Sequence, residues 1–169
     1  DPSSPTTAPL VSPSRADPKL VGFVGTWELA ADADELARRK SAVEALVRRF
    51  PWALRGIARR RLEDGSRPEH RLAFAWRSPM LRKESDAHGP WVTRVDGRPA
   101  KVRGAGGEDV RLSRKLQGGV LIEHGTTPEG GRENRYTLSA DGKEMLLRVR
   151  IAAPRLPAPL EYRLTYRRR

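Results

Sequence analysis

The stretch Gly22-Phe23-Val24-Gly25-Thr26-Trp27-Glu28-Leu29 sets a Gly-x-Trp at the head of a first strand, read as Leu20 to Leu29. A helical stretch follows directly. Asp32 suits a helix N-cap, and Glu35 three residues on completes a capping box. Leu36, Lys40, Val43, Val47 and Phe50 recur one turn apart, and Leu46 beside Val47 makes the apolar stripe continuous. Pro51 disfavours helical geometry at Phe50 but suits the first turn of a second helix, which runs to about Leu62 and stops at Asp64-Gly65. A helix pair over residues 32–63 thus follows the first strand.

Downstream of Glu69 the pattern changes to short alternating runs. They fall at His70 to Arg77, Met80 to Ser85, Trp91 to Val95, Pro99 to Arg103, Val110 to Leu116, Val120 to Gly125, Arg135 to Ser139, Lys143 to Ala152 and Leu160 to Arg168. Gly89-Pro90, Asp96-Gly97, Gly106-Gly107, Gly118-Gly119, Gly130-Gly131 and Asp141-Gly142 separate them, as hairpin turns require. Alternation is cleanest at the end. Met145, Leu147, Val149 and Ile151 share one face, as do Leu160, Tyr162, Leu164 and Tyr166. So many hairpin-linked strands would leave exposed edges unless the sheet closed on itself. The sequence therefore predicts a mainly β fold. It is an antiparallel up-and-down β-barrel of about eight to ten strands, with a two-helix lid between strands 1 and 2.

The chain has 169 residues, enough for one domain. Residues 1–19 hold Pro2, Pro5, Pro9, Pro13 and Pro18 among Ser, Thr and Ala, and read as an extended tether before a domain at 20–169. A first residue other than Met and a Pro-rich leader point toward an exported protein: periplasmic, secreted or a lipoprotein. The absence of Cys excludes disulfides and thiolate metal sites. The net charge is +12, and only six of the 33 basic residues are Lys. This basic protein should favour anionic partners.

The order of strand, helix pair and strands to the last residue, opened by Phe23-Val24-Gly25-Thr26-Trp27-Glu28-Leu29, resembles the calycin superfamily. It is similar to bacterial lipocalin-like domains, with the element order of the intracellular fatty-acid-binding proteins. The resemblance implies a ligand-holding barrel with the helix pair as its portal lid. It covers most of residues 20–169 at the level of plan and about seven residues at the level of motif. Asp34, Glu35 and Leu36 depart from the family's aromatic-acidic pair at the start of the first helix. The family's carboxylate-gripping Arg-x-Tyr is replaced by Arg163-Leu164-Thr165-Tyr166, which puts Arg163 and Tyr166 on opposite faces.

A barrel of this width implies an interior ligand site. Trp27 is expected to close its bottom beneath a C-terminal Arg. Phe74, Trp76, Tyr136, Tyr162 and Tyr166 are expected to line it with apolar bodies and polar tips. Core packing is the competing reading of each. Arg148 and Arg150 would meet an anionic head if their face pointed inward. On the lid, Arg48, Arg49, Arg55 and Arg59, interrupted by Phe50 and Trp52, suit an anionic bilayer surface. His70, His88 and His124 lack metal-ligand spacing, and no nucleophile motif occurs, so neither catalysis, a cofactor nor a metal is expected. No aromatic RNA-binding cluster or recognition helix accompanies the charge, so nucleic acid is not the expected partner. The expected function is non-enzymatic binding of a small hydrophobic or amphipathic ligand by a monomer, possible at an envelope membrane. The alternative is a basic structural domain with a filled core that binds an anionic polymer or surface.

Overall fold

A computed structural model describes residues 17–169. The proposed tether falls outside them except for its last residues, which enter a short helix. That helix, α1 (Pro18–Val21), is capped by the Asp17 carboxylate, which accepts from the Lys19 amide at 2.8 Å. The first strand is accordingly shorter than the sequence suggested: β1 spans Gly25–Leu29. Leu20 and Phe23, expected in that strand, instead bury themselves from the helical turn beneath the barrel.

After β1 come α2 (Ala33–Val47), a 3-10 turn (Trp52–Leu54) and α3 (Arg55–Gly65). Nine strands follow: β2 (Arg71–Arg77), β3 (Met80–Ser85), β4 (Trp91–Arg94), β5 (Ala100–Arg103), β6 (Asp109–Gln117), β7 (Val120–Thr127), β8 (Gly130–Leu138), β9 (Glu144–Ala152) and β10 (Leu160–Arg168). The described residues form one antiparallel sheet in the order β4-β3-β2-β1-β10-β9-β8-β7-β6-β5. Its two end strands are neighbours in sequence, so the sheet curls until they meet. No ladder joins β4 to β5. The Trp91 indole donates to the Arg103 carbonyl at 2.6 Å, and the Gly97 amide donates to the Arg114 carbonyl at 2.8 Å. An isolated Asp96–Lys115 bridge completes the seam. The barrel is nearly closed.

The Gly-Thr-Trp motif has a local cause. Gly25 sits at φ +132°, and a Cβ there would lie 2.8 Å from an Arg168 terminal nitrogen. The missing side chain lets the Arg168 guanidinium lie 4.2 Å over the Trp27 ring. The same guanidinium donates to the Val24 and Gly22 carbonyls, tying the last strand to the first loop. Trp27 is buried, its indole donating to the Phe23 carbonyl. Trp27 lies beneath the Arg168 guanidinium, at the barrel end next to α1.

The helix pair covers the other end. Asp32 caps α2 by accepting from the Glu35 amide at 2.7 Å, as the spacing predicted. The Glu35 carboxylate does not close the capping box. It accepts instead from the amide and the hydroxyl of Thr165, each at 3.0 Å, anchoring the lid to β10. Glu35 takes the buried first-turn position and Leu36 is left exposed, while Val43, Leu46 and Val47 bury against the barrel. Arg39 clasps Ser66 at the end of α3. Gly130-Gly131, read as a turn, lies inside β8; the turn is Pro128-Glu129. Glycine is needed there because a Cβ on Gly130 would meet the Ala152 carbonyl at 2.7 Å.

Candidate functional site

The barrel is filled unevenly. Toward the α1 end Trp27, Leu72, Phe74, Tyr136, Met145, Leu147 and Tyr166 pack into one apolar cluster. Phe74 and Tyr136 meet edge to face at 5.4 Å. Toward the lid a cleft of about 910 Å³ remains. Ile57, Ala58 and Leu62 of α3 form one wall, with Leu112, Gly125 and Ile151 of the sheet opposite. α3 buries only Leu62, which leaves its other apolar residues free to face the cleft or solvent.

The cleft reaches down to Glu123, Asn134 and Arg132, the upper edge of a buried charged network. Glu123 is its centre. Its carboxylate accepts from Lys83 Nζ (3.0 Å), Arg114 Nε (2.8 Å) and Asn134 Nδ2 (3.0 Å). Lys83 and Arg114 are fully buried with it. A single Arg114 terminal amino group donates to the Leu81 and Trp91 carbonyls and the Thr93 hydroxyl. The other terminal amino group is buried without a partner among the described residues. Five strands, β3, β4, β6, β7 and β8, supply these residues, so the network stitches the barrel wall across its interior.

Glu69 is a second acid in the same space. It accepts from Ser85 at 3.0 Å and lies 3.8 Å from Lys83 and 3.3 Å from His88 Nε2. His88 stacks on Trp91 at 3.6 Å. Burial alone would raise both acids. The surrounding groups together outweigh it: Lys83 first, with His88 and Arg132 at Glu69, and Lys83 with Arg114 at Glu123. Glu69 is held at about 2, and Glu123 lies well below the ordinary carboxylate range. Lys83 shows the converse: burial would lower it, but Glu123, Tyr136 and Glu69 together push it up. All three stay charged at neutral pH.

Arg132 stands at the floor of the cleft, half-buried. Its Nε donates to Asn134 Oδ1 at 2.9 Å and one terminal nitrogen to the Gly65 carbonyl of the lid at 3.2 Å. Among the described residues no carboxylate lies within ion-pair distance of it. Among the described residues, the charged groups of this network are three cations, Lys83, Arg114 and Arg132, and two acids, Glu69 and Glu123.

The aromatic residues expected to line a ligand site are differently placed. Trp27, Phe74, Tyr136 and Tyr166 pack in the lower half, and Trp76 is half-buried beside the same cluster. Tyr166 donates to the Glu69 carbonyl at 2.7 Å. Tyr162 is buried, with its hydroxyl unpartnered. None of these six lines the lid-side cleft. Arg148 and Arg150 do not face the interior. Met145, Leu147 and Val149 take the interior of β9, so the alternating arginines point outward to solvent.

The lid residues divide. Arg55 donates to the Arg48 and Phe50 carbonyls and holds the corner between the helices. Arg59 pairs with both oxygens of Glu44, at 2.6 and 3.0 Å. Phe50 lines the cleft. Arg48 and Arg49 are exposed, and Trp52 is 84% exposed.

Lys83, Arg114, Glu123, Asn134 and Arg132 were not anticipated from sequence. A signal was present: each shares strand parity with buried neighbours such as Leu81, Leu112, Leu121 and Tyr136. Among the described residues no cluster of His, Asp or Glu is arranged to hold a metal ion. No helix of the described residues is long and apolar enough to cross a membrane.

No protein-family model matches the sequence, and no curated protein matches it. Solved structures do match in fold. Fatty-acid-binding protein 1 of Echinococcus granulosus superimposes with a TM-score of 0.54 at 13% identity, covering 88% of this chain and 98% of that one. Zebrafish ileal bile acid-binding protein, complexed with cholic acid, gives 0.55 at 11% identity, covering 88% and 99%. A secretory abundant heat soluble protein of Ramazzottius varieornatus gives 0.57 at 10% identity, covering 88% and 96%. The chain therefore shares the overall barrel fold of these proteins.

Proposed function

We propose that this protein binds a small amphipathic molecule, without catalysis, in the cleft beneath α3. The observation behind this reading is the cleft itself: about 910 Å³ of space with apolar residues along its walls, ending on Arg132 beside Asn134 and the paired Glu123. That volume lies in the range of small-molecule sites. Each ligand methylene buried there contributes about 0.8 kcal/mol. The unpaired Arg132 charge favours an anionic head group at the floor. Structural likeness to fatty-acid- and bile-acid-binding proteins supports the same class of cargo. A filled, purely structural barrel is disfavoured by the open upper half.

Gly125 offers a direct test. It faces inward on β7 and lines the cleft, and a Cβ there would lie 3.3 Å from a Val110 methyl. Gly125→Met should place a flexible side chain in the ligand's space. A naphthalene sulfonate probe is expected to bind the natural protein and be displaced by oleate. Gly125→Met should lower probe affinity about tenfold while melting within a few degrees of the natural protein. Failure of the natural protein to bind either molecule would reject the carrier reading.

The same lid suits loading at an anionic membrane. Trp52, Leu54 and Ile57 are exposed at 84, 49 and 60%, beside Arg48, Arg49, Arg60 and Arg61, whose side chains make no hydrogen bonds or ion pairs among the described residues. Arg48→Ser/Arg49→Ser/Trp52→Ser should weaken flotation with phosphatidylglycerol vesicles at least tenfold, at about 1 kcal/mol per arginine. Equal flotation would reject membrane docking and leave ligand binding standing.

A further inference from the structure

The outer face of β8, β9 and β10 carries a feature that the interior cleft does not use. Arg135, Arg148 and Arg163 lie directly opposite one another across three adjacent strands. The row continues through Ile122 of β7 to Lys115 of β6, and meets an acid only at the seam, where Asp96 bridges to Lys115. Neighbouring strands lie about 4.8 Å apart, so like charges placed opposite one another destabilise the sheet.

The partners these arginines have leave their tips free. Arg135 donates to Glu133 through Nε at 2.7 Å, and the nearest approach of Arg163 to Glu35 is also through Nε, at 3.7 Å. Their terminal amino groups make no hydrogen bond among the described residues. Arg148, between them, has neither hydrogen bond nor ion pair there. The three border a surface cleft of about 490 Å³ walled by Arg38 of α2 and by Arg150. Five arginines and three glutamates line it: Arg150 pairs with Glu161, Arg135 with Glu133, and Glu35 accepts from Thr165, which leaves Arg148 without an acid of its own among the described residues.

We propose that this arginine ladder is a binding site for a phosphomonoester. A carboxylate has two oxygens and a single charge and would satisfy one guanidinium fork. A phosphomonoester carries up to two charges and three terminal oxygens. It can accept from the Arg148 fork and from a neighbouring fork at once, and neutralise the row. The phosphate could belong to a soluble ester or to a lipid headgroup; the recognition chemistry is the same.

The test is a melting series on the full chain at constant ionic strength, exchanging chloride for inorganic phosphate, with Arg148→Thr and Arg148→Gln alongside. General solute exclusion acts on all three proteins alike, so the difference between them reports the site. At tenfold excess over Kd, phosphate should raise the natural protein's Tm by about 3 °C more than that of either variant. Without phosphate both variants should melt at or above the natural protein, because the in-register repulsion is gone. Glycerol 1-phosphate and phosphatidylcholine vesicles doped with phosphatidic acid then separate the two sources. Tighter binding by the natural protein than by Arg148→Thr in either arm supports the site and identifies its source. Equal phosphate responses in all three proteins, or variants that melt lower in chloride, would overturn it. The lid and the interior cleft are untouched by these substitutions, so this result stands apart from that of the carrier proposal.

Discussion

Glu123→Gln should destabilise the fold by about 3–5 kcal/mol, because it leaves two buried cations without their shared carboxylate. Lys83 and Arg114 both bond to Glu123 and are completely buried. Domains of this kind are stable by only about 5–15 kcal/mol, so the loss would be visible at once in urea denaturation. The triple replacement Lys83→Met/Arg114→Leu/Glu123→Leu should recover most of it, since apolar residues of similar volume remove the desolvation cost as well as the pairing. A loss below about 1 kcal/mol for the single substitution would refute the central role of Glu123.

The network also sets an acid limit. Glu69 and Glu123 titrate lower in the folded chain than in the unfolded one, where an ordinary value of 4.5 applies. Depressed carboxylates stabilise the fold fully above the unfolded value and lose that contribution as pH falls toward the folded one. For Glu69 the window runs from 4.5 down to about 2. Unfolding free energy should fall across it, and more gently in Glu123→Gln.

Arg132→Met should reduce the affinity for a long-chain fatty acid about 10- to 100-fold and leave the alcohol of equal chain length unchanged. A hydrogen bond to a charged group contributes about 1.5–3 kcal/mol, which corresponds to that range. The contrast matters because Arg132 also bonds Asn134 and the lid carbonyl of Gly65. A lid loosened by the substitution would weaken acid and alcohol alike. Equal losses, or none, would remove Arg132 as the head-group contact. Competition with a fluorescent probe in the full chain measures both ligands on one scale.

Much of the architecture was legible in local signals. Asp32 announced the start of α2, Pro51 the break between helices, and the alternation of Met145 to Ile151 and of Leu160 to Tyr166 the last two strands. Gly25-Thr26-Trp27 pointed to a barrel head, and the reason is steric: only glycine leaves room for Arg168 above Trp27. The boundaries that failed did so for non-local causes. Gly130 looked like a turn residue, yet its glycine answers the approach of Ala152 from the neighbouring strand. Glu35 looked like a capping-box partner, yet Thr165, 130 residues away, claims its carboxylate.

Sequence alone determined which residues share a face, because the pleat fixes that spacing within each strand. Which face became the interior was decided only when the sheet curled. Curling turned Arg148 and Arg150 to solvent and carried Lys83, Arg114 and Glu123 inside, where removal from water forces unlike charges to pair. The cleft is a tertiary product in the same sense. It exists because the apolar packing stops short of the lid, and α3 spans the space that is left.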